Sequence, residues 1–436
     1  MTALLTLLDE DGSLRTAPLP KAAAFTRPTQ PLWSRVVYAA AHVVPLPYAD
    51  NTPGAPADID WDATLGYRRT LWSWGLGVAD AMDTAQRNMG LDARATRELI
   101  SRSADAARAA LADPAIAAVF RPGAQVCDLV VAGVSTDHRP ETDLSLEEII
   151  ASYREQLAAT EESGAGAVLM ASRHLARTAT SAQDYVDVYR EVLASATAPV
   201  VLHWLGTAFD PNLEGYFGSS ESAVASETLL QIIRDAGERV RGVKMSLLDD
   251  AAEIAVRERL PEGVLMLTGD DFHFSHLIVG DGTSAADGPC TKSIPPQYTL
   301  PRGRGFSHAL LGAFAASAPA ASAAIQALDA GDAALASKIL DGAEELARQV
   351  FAAPTYHYKA GVAFLSWLNG HQQAYSMIGG LHSARSLPHL SRIVELAAET
   401  GNLEDPQLAA ERWHALLAVN GFAVGADTTS DEGVGR

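Results

Sequence analysis

Residues 238–249 read Glu238-Arg-Val-Arg-Gly-Val-Lys-Met-Ser-Leu-Leu-Asp249. Val240, Val243, Met245 and Leu247 give this stretch the apolar character of a buried strand, and Gly242 lets a neighbouring backbone come close. One lysine, Lys244, stands in the middle. In a strand of period two, Gly242, Lys244 and Ser246 share one face, while Val243, Met245 and Leu247 share the other. Lysine is rarely fully buried unless it is paired or used. Desolvation disfavours the ammonium and lowers its pKa, and a neutral amine attacks carbonyls to form a Schiff base. A lysine that snorkels from a strand end to water is the other reading. The strand alone leaves both open.

Outward from this strand, the chain alternates. Before it come apolar runs at Arg35–Val44, Gly77–Met82, Gln125–Gly133, Gly164–Met170 and Pro199–Trp204; after it come Val264–Thr268 and Gly305–Phe314. Helical patterns lie between them, at Asp60–Trp74, Leu91–Leu111, Leu146–Ser163, Ala182–Ser195, Ser222–Ala236, Asp250–Leu260 and around Phe272–Val279. Continuously apolar strands alternating with helices indicate a parallel sheet covered on both faces. Eight such units predict a closed (β/α)8 TIM barrel. A doubly wound open sheet is the alternative, but no Gly-rich phosphate loop follows Val44.

The expected organisation has four parts. Residues 1–33 form a small N-terminal β appendage, with a hairpin turn at Asp11-Gly12, and a Pro-rich linker. Residues 34–318 form the α/β barrel, 319–424 a helical C-terminal extension, and 425–436 a small polar tail. The Gly- and Pro-rich stretch 281–305 is an insertion before the last strand, and its length marks it as a candidate functional loop.

Composition narrows the function class. The chain has 436 residues, 48% of them hydrophobic, and a formal net charge of -20. That charge argues against nucleic acid or an anionic membrane surface as partner. Cys127 and Cys290 lack metal-type spacing. The N-terminal apolar run has no basic flank, unlike a signal peptide, and no run approaches the roughly 18 apolar residues of a membrane span. The expectation is a cytoplasmic enzyme acting on a small molecule.

A barrel carries its active site at the C-terminal ends of its strands. The polar residues there are His42; Asp83, Thr84 and Gln86; Ser135, Thr136 and Asp137; Arg173 and His174; His203 and Trp204; Lys244 and Ser246; Asp270, Asp271 and His273; Ser307 and His308. Uncompensated polar groups in a barrel mouth cost free energy, so such a ring points to function. Lys244 is the candidate nucleophile and His203, on the adjacent strand, the candidate proton carrier.

These residues resemble the dihydrodipicolinate synthase and N-acetylneuraminate lyase group of class I aldolases, from about Arg35 to Leu396. Arg241-Gly-Val-Lys-Met-Ser246 is similar to the strand bearing that family's Schiff-base lysine. Pro199-Val-Val-Leu-His-Trp204 is similar to its strand ending in Tyr-Asn, and Thr268-Gly-Asp-Asp271 to its seventh strand end. Val130–Val134 and Gly164–Met170 resemble its third and fourth strands, and Ser383–Ser391 its C-terminal helical segment. The chain also departs from the pattern. Asp83-Thr84-Ala85 stands where the family has a carboxylate-binding Gly-Thr-Thr loop, and the Asp83 charge would repel a pyruvate carboxylate. His203 occupies the family's tyrosine position and Trp204 its asparagine. Ala208 replaces an arginine, and Ser172-Arg173-His174 replaces Pro-Tyr-Tyr. The chain therefore resembles a divergent branch.

The resemblance implies a Schiff-base lyase or aldolase for a small polyhydroxylated carbonyl compound, such as a keto sugar or sugar acid, and no cofactor. Lys244 would attack the carbonyl, with His203 and Asp83 moving protons. Thr84, Gln86, Arg173, His174, Trp204, Asp270, Asp271 and His42 would hold the substrate. Family members commonly form homo-oligomers, so a homodimer or homotetramer is expected. One alternative is a divalent-metal-dependent isomerase, epimerase or lyase, with ligands drawn from His42, Asp83, His174, His203, Asp271 and His273. Another is a non-catalytic sugar-binding barrel.

Overall fold

A computed structural model describes residues 4–280 and 305–423. Two strands, β1 (Leu4–Leu8) and β2 (Leu14–Pro18), pair as an antiparallel hairpin. Eight further strands follow: β3 (Val37–Ala40), β4 (Gly77–Asp80), β5 (Val130–Val134), β6 (Gly166–Leu169), β7 (Val200–Leu205), β8 (Val240–Ser246), β9 (Leu265–Thr268) and β10 (His308–Leu311). All pair in parallel with their sequence neighbours, and β10 pairs with β3, so the sheet closes into a barrel. A helix packs outside most strands, giving the (β/α)8 TIM barrel with a helical C-terminal extension and a small N-terminal sheet. The open-sheet alternative is excluded, since closure leaves no edge strand.

The core has two layers. Tyr38, Ala79, Val131, Val168, Val201, Leu265 and Leu310 fill the barrel interior. A larger cluster fills the space between strands and helices and includes Val243 and Met245 of β8. This split assigns the faces of β8: Val243 and Met245 point to the helices, and Lys244 points inward. Gly242 is required by the same geometry. A Cβ there would lie 2.8 Å from the Leu265 carbonyl oxygen and 2.9 Å from Leu267 Cδ1.

Most helices match their sequence pattern; Leu146–Ser163 starts at a Ser145–Glu148 capping box and ends at Gly164 in the left-handed region. Most strands are shorter than their apolar runs, and one run begins as a helical turn. Over Gln125–Gly133, Val126–Leu129 forms a helical turn, and β5 begins only at Val130. Gln125 and Asp128 cap each other there, with the Gln125 N–H donating to Asp128 Oδ2 at 2.9 Å. That reciprocal pair satisfies the backbone locally before the strand starts.

The C-terminal helices are Ala318–Asp329, Ala333–Val350, Tyr358–Leu368, Leu387–Glu399 and Pro406–Val419. The N-terminal hairpin docks on the last two. The Leu8 N–H donates to Ser391 Oγ at 2.7 Å, and Trp413 Nε1 donates to the Thr6 carbonyl at 2.8 Å. The extension itself reaches the strand ends. Gln86 exchanges hydrogen bonds with the Ile378 backbone, and His42 Nε2 pairs with Gln372 Oε1 at 2.9 Å. No helix among the described residues is long and apolar enough to cross a membrane. The 281–305 insertion falls almost entirely outside the described residues, as does the 425–436 tail.

Candidate active site

A small pocket lies at the C-terminal end of the barrel. Its polar wall is Asp83, Thr84, Lys244, Ser246, Asp271 and Tyr358. Met82, Leu205 and Phe209 supply apolar surface. Lys244 and Ser246 come from β8, and Asp271 follows β9. Asp83 and Thr84 sit in a single turn after β4, Asp83–Ala85. Gly269 makes room for the lysine, because a Cβ there would lie 2.7 Å from Lys244 Cε and would also strike Ser246 Oγ.

Lys244 is 7% exposed. Burial lowers its pKa, opposed by the carboxylates of Asp83 and Asp271. Asp271 is 3% exposed, and its Oδ1 accepts the Ala313 N–H at 2.9 Å. Burial pushes the Asp271 carboxyl up to about 7; the Ala313 N–H and the Lys244 charge hold it down, and Asp270 adds to the rise. Burial thus favours the neutral form of each group. A site that holds an amine and an acid in this state can carry out nucleophilic attack and proton transfer.

His203 does not share this cavity. It is fully buried on β7, with Nε2 3.2 Å from Ser246 Oγ and no partner for Nδ1 among the described residues. Burial, then the Lys244 charge, pushes its pKa well below the ordinary value. It is a neutral imidazole beside Ser246.

Several other expected substrate residues also lie elsewhere. Trp204 follows His203, so it faces the helices, where its ring meets Phe217 edge-on with centroids 5.4 Å apart. Arg173 pairs with Asp210 at 2.6 Å on the rim. His174 bridges Thr136 Oγ1 at 2.7 Å and the Glu141 carbonyl at 2.8 Å. Asp270 is occupied by the N–H groups of Phe272 and His273 and by His273 Nδ1 at 2.9 Å. Gln86 ties its loop to Ile378. His42 stacks near Tyr67 and pairs with Gln372; burial lowers its pKa to about 4.

The six candidate metal ligands are thus divided among separate networks. Among the described residues no three His, Cys, Asp or Glu side chains form a group that could hold a metal ion. His42, His174, His203 and His273 each satisfy a local hydrogen bond instead, which separates the ligand set proposed from the strand ends.

Tyr358 was not foreseen. It starts the helix Tyr358–Leu368, and its hydroxyl lies 2.7 Å from Thr84 Oγ1. Phe351 stacks on its ring at 4.2 Å, and Phe209 meets it edge-on at 5.9 Å. No local spacing marks this residue, because its role depends on how the extension folds back over the barrel. Its neighbour Lys359 is a second buried lysine. Lys359 Nζ donates to the Tyr356 carbonyl at 3.0 Å, and burial lowers its pKa to about 8. Lys359 does not line the cavity.

A family described as "Protein of unknown function (DUF993)" matches residues 5–422. A search of curated proteins gives no match. Among solved structures, the chain is similar to dihydrodipicolinate synthase from Aquifex aeolicus, at 14% identity and a TM-score of 0.57, over 85% of this chain and 99% of that one. It is similar to YagE, a prophage protein of the dihydrodipicolinic acid synthase family from E. coli K12 in complex with pyruvate, at 14% identity and a TM-score of 0.57, over 84% and 98%. It is also similar to PhdJ bound to a substrate intermediate, at 15% identity and a TM-score of 0.53, over 88% and 97%. At these identities the likeness establishes the barrel fold.

Proposed function

The chain belongs to this family of proteins of unknown function, and we propose that it is a Schiff-base lyase of the aldolase type acting on a small polyhydroxylated carbonyl compound. The observation that carries the reading is Lys244: a buried amine on the inner face of a barrel strand, with lowered pKa, lining a cavity beside a carboxyl group that titrates near pH 7. The fold shared with dihydrodipicolinate synthase family proteins supports it as analogy.

In this reading the neutral Lys244 amine attacks the substrate carbonyl, and loss of water leaves an iminium. Asp271, as carboxylate, takes the proton of the hydroxyl on the β carbon. The Cα–Cβ bond breaks, its electron pair neutralises the iminium as an enamine, and the β carbon leaves as an aldehyde. The protonated Asp271 returns its proton to the enamine carbon, and hydrolysis frees Lys244. Proton transfer of this kind contributes about 10²–10⁴-fold. Asp271 takes the part assigned to His203 on sequence grounds, because it lines the cavity and His203 does not.

The test is a panel of keto sugars and sugar acids, assayed for turnover and trapped with borohydride. The expected result is a reduced adduct on the Lys244 peptide by mass spectrometry. Turnover of a panel member with no adduct on Lys244 overturns the mechanism.

A further inference from the structure

The donors and acceptors of the cavity wall describe what the substrate carries next to its carbonyl. Two acidic side chains, Asp83 and Asp271, stand against one basic group, Lys244. Asp271 Oδ1 is engaged by Ala313, and the carboxyl groups of Asp83 and Asp271 both line the cavity. Carboxylate oxygens there can accept from a donor on a ligand. Thr84 and Tyr358, also in the wall, hold two hydroxyl protons between them. One is used in their 2.7 Å mutual bond, which leaves the other to donate. Burial, then the nearby Asp83 charge, raises the Tyr358 pKa well above its usual value, so the phenol keeps its proton. The stack on Phe351 and the edge contact with Phe209 fix its direction.

We propose that the carbonyl that Lys244 attacks is bonded to a hydroxyl-bearing carbon and not to a carboxylate, and that Tyr358 from the C-terminal extension reads that hydroxyl together with Asp83 and Asp271. A hydroxyl donates to a carboxylate and accepts from the phenol. A carboxylate there would set a further acidic group against the two acidic side chains of the wall, and like charges placed together repel. The substrate class is therefore an α-hydroxy ketone or aldehyde of the sugar type, and 2-keto acids are disfavoured. Tyr358 is a specificity residue in this scheme, and the extension is part of the site.

The inference rests on the Schiff-base reading, and borohydride trapping on the intact protein separates the two. Dihydroxyacetone and pyruvate serve as probes, each trapping rate divided by that of the same carbonyl with a free amine. The expected result is an adduct on Lys244 that forms about 100-fold faster with dihydroxyacetone, the ratio for a difference of roughly 3 kcal/mol. Tyr358→Phe, which keeps the aromatic stack, should lower dihydroxyacetone trapping about tenfold and leave pyruvate unchanged. Asp83→Asn should narrow the ratio from the other side, by speeding pyruvate. A pyruvate adduct on Lys244 that forms as fast as the dihydroxyacetone adduct overturns the inference and leaves the Schiff-base reading standing. An unchanged ratio in both variants also overturns it. No adduct on Lys244 with either probe overturns both.

Discussion

His203 and Lys244 are register partners on adjacent parallel strands, yet Lys244 lines the cavity and His203 does not. The imidazole turns to Ser246 at 3.2 Å, and it is Ser246 that lines the cavity. Strand register brings two residues side by side, but which of them reaches the cavity depends on the side chains around them.

Lys244→Ala is expected to abolish turnover and the trapped adduct while leaving the fold intact, because it removes the nucleophile from one wall of a formed cavity. Circular dichroism and peptide mass mapping check both halves. Lys359→Ala should leave the adduct on Lys244 in place. An adduct that moves to Lys359 in the native protein would assign the chemistry to the wrong lysine.

Asp271→Asn should lower kcat/KM by about 10²–10⁴-fold, the usual contribution of a positioned acid or base. It should also remove a limb of the pH–rate profile near pH 7, where the native carboxyl titrates. His203→Ala should act mainly on stability, at a cost of about 2–3 kcal/mol for an emptied imidazole site and an unpartnered Ser246. Urea midpoints and rate profiles of the two variants distinguish these roles. A larger kinetic loss in His203→Ala than in Asp271→Asn would return the proton to the histidine.

Asp80→Ala should destabilise the barrel by about 3–5 kcal/mol. Asp80 and Arg68 are both fully buried and pair at 2.7 Å, and Arg68 also donates to the carbonyls of His42 and Thr64. The variant strands the guanidinium among groups that satisfy only part of its charge. Equilibrium unfolding measures the loss; a change below about 1 kcal/mol, the scale of an exposed pair, would contradict the buried geometry.

Glu253→Gln should stabilise the protein at high pH only. Burial pushes the Glu253 carboxyl up to about 8 from an unfolded value of 4.5, against its hydrogen bonds to Ser307 and Thr268. Below 4.5 both states are protonated and the residue costs nothing. Between 4.5 and 8 the unfolded chain releases a proton that the folded chain keeps, so stability falls as pH rises. Above 8 the penalty is constant. Urea midpoints of the native protein and the variant should separate at pH 8 and converge at pH 4. Separation of equal size at both values would show that folding leaves the Glu253 carboxyl unshifted.

Much of this protein was legible in its sequence because the relevant physics is local. Period-two alternation assigned Lys244 to the inner face of β8 and Val243 and Met245 to the outer core. The alternation of apolar runs with helical patterns gave the eight-stranded barrel. Even Asp83, Thr84 and Asp271 emerged from their positions after strand ends, because a parallel barrel gathers those ends at one mouth. The same rule admitted too many residues. It could not tell that Trp204 is turned to Phe217, that Arg173 is spent on Asp210, or that His42 is tied to Gln372, since each depends on a partner remote in sequence. Tyr358 and the docking of β1 on the C-terminal helices were decided by tertiary structure alone. Periodicity fixes which face a side chain takes; only the folded chain fixes what stands opposite it.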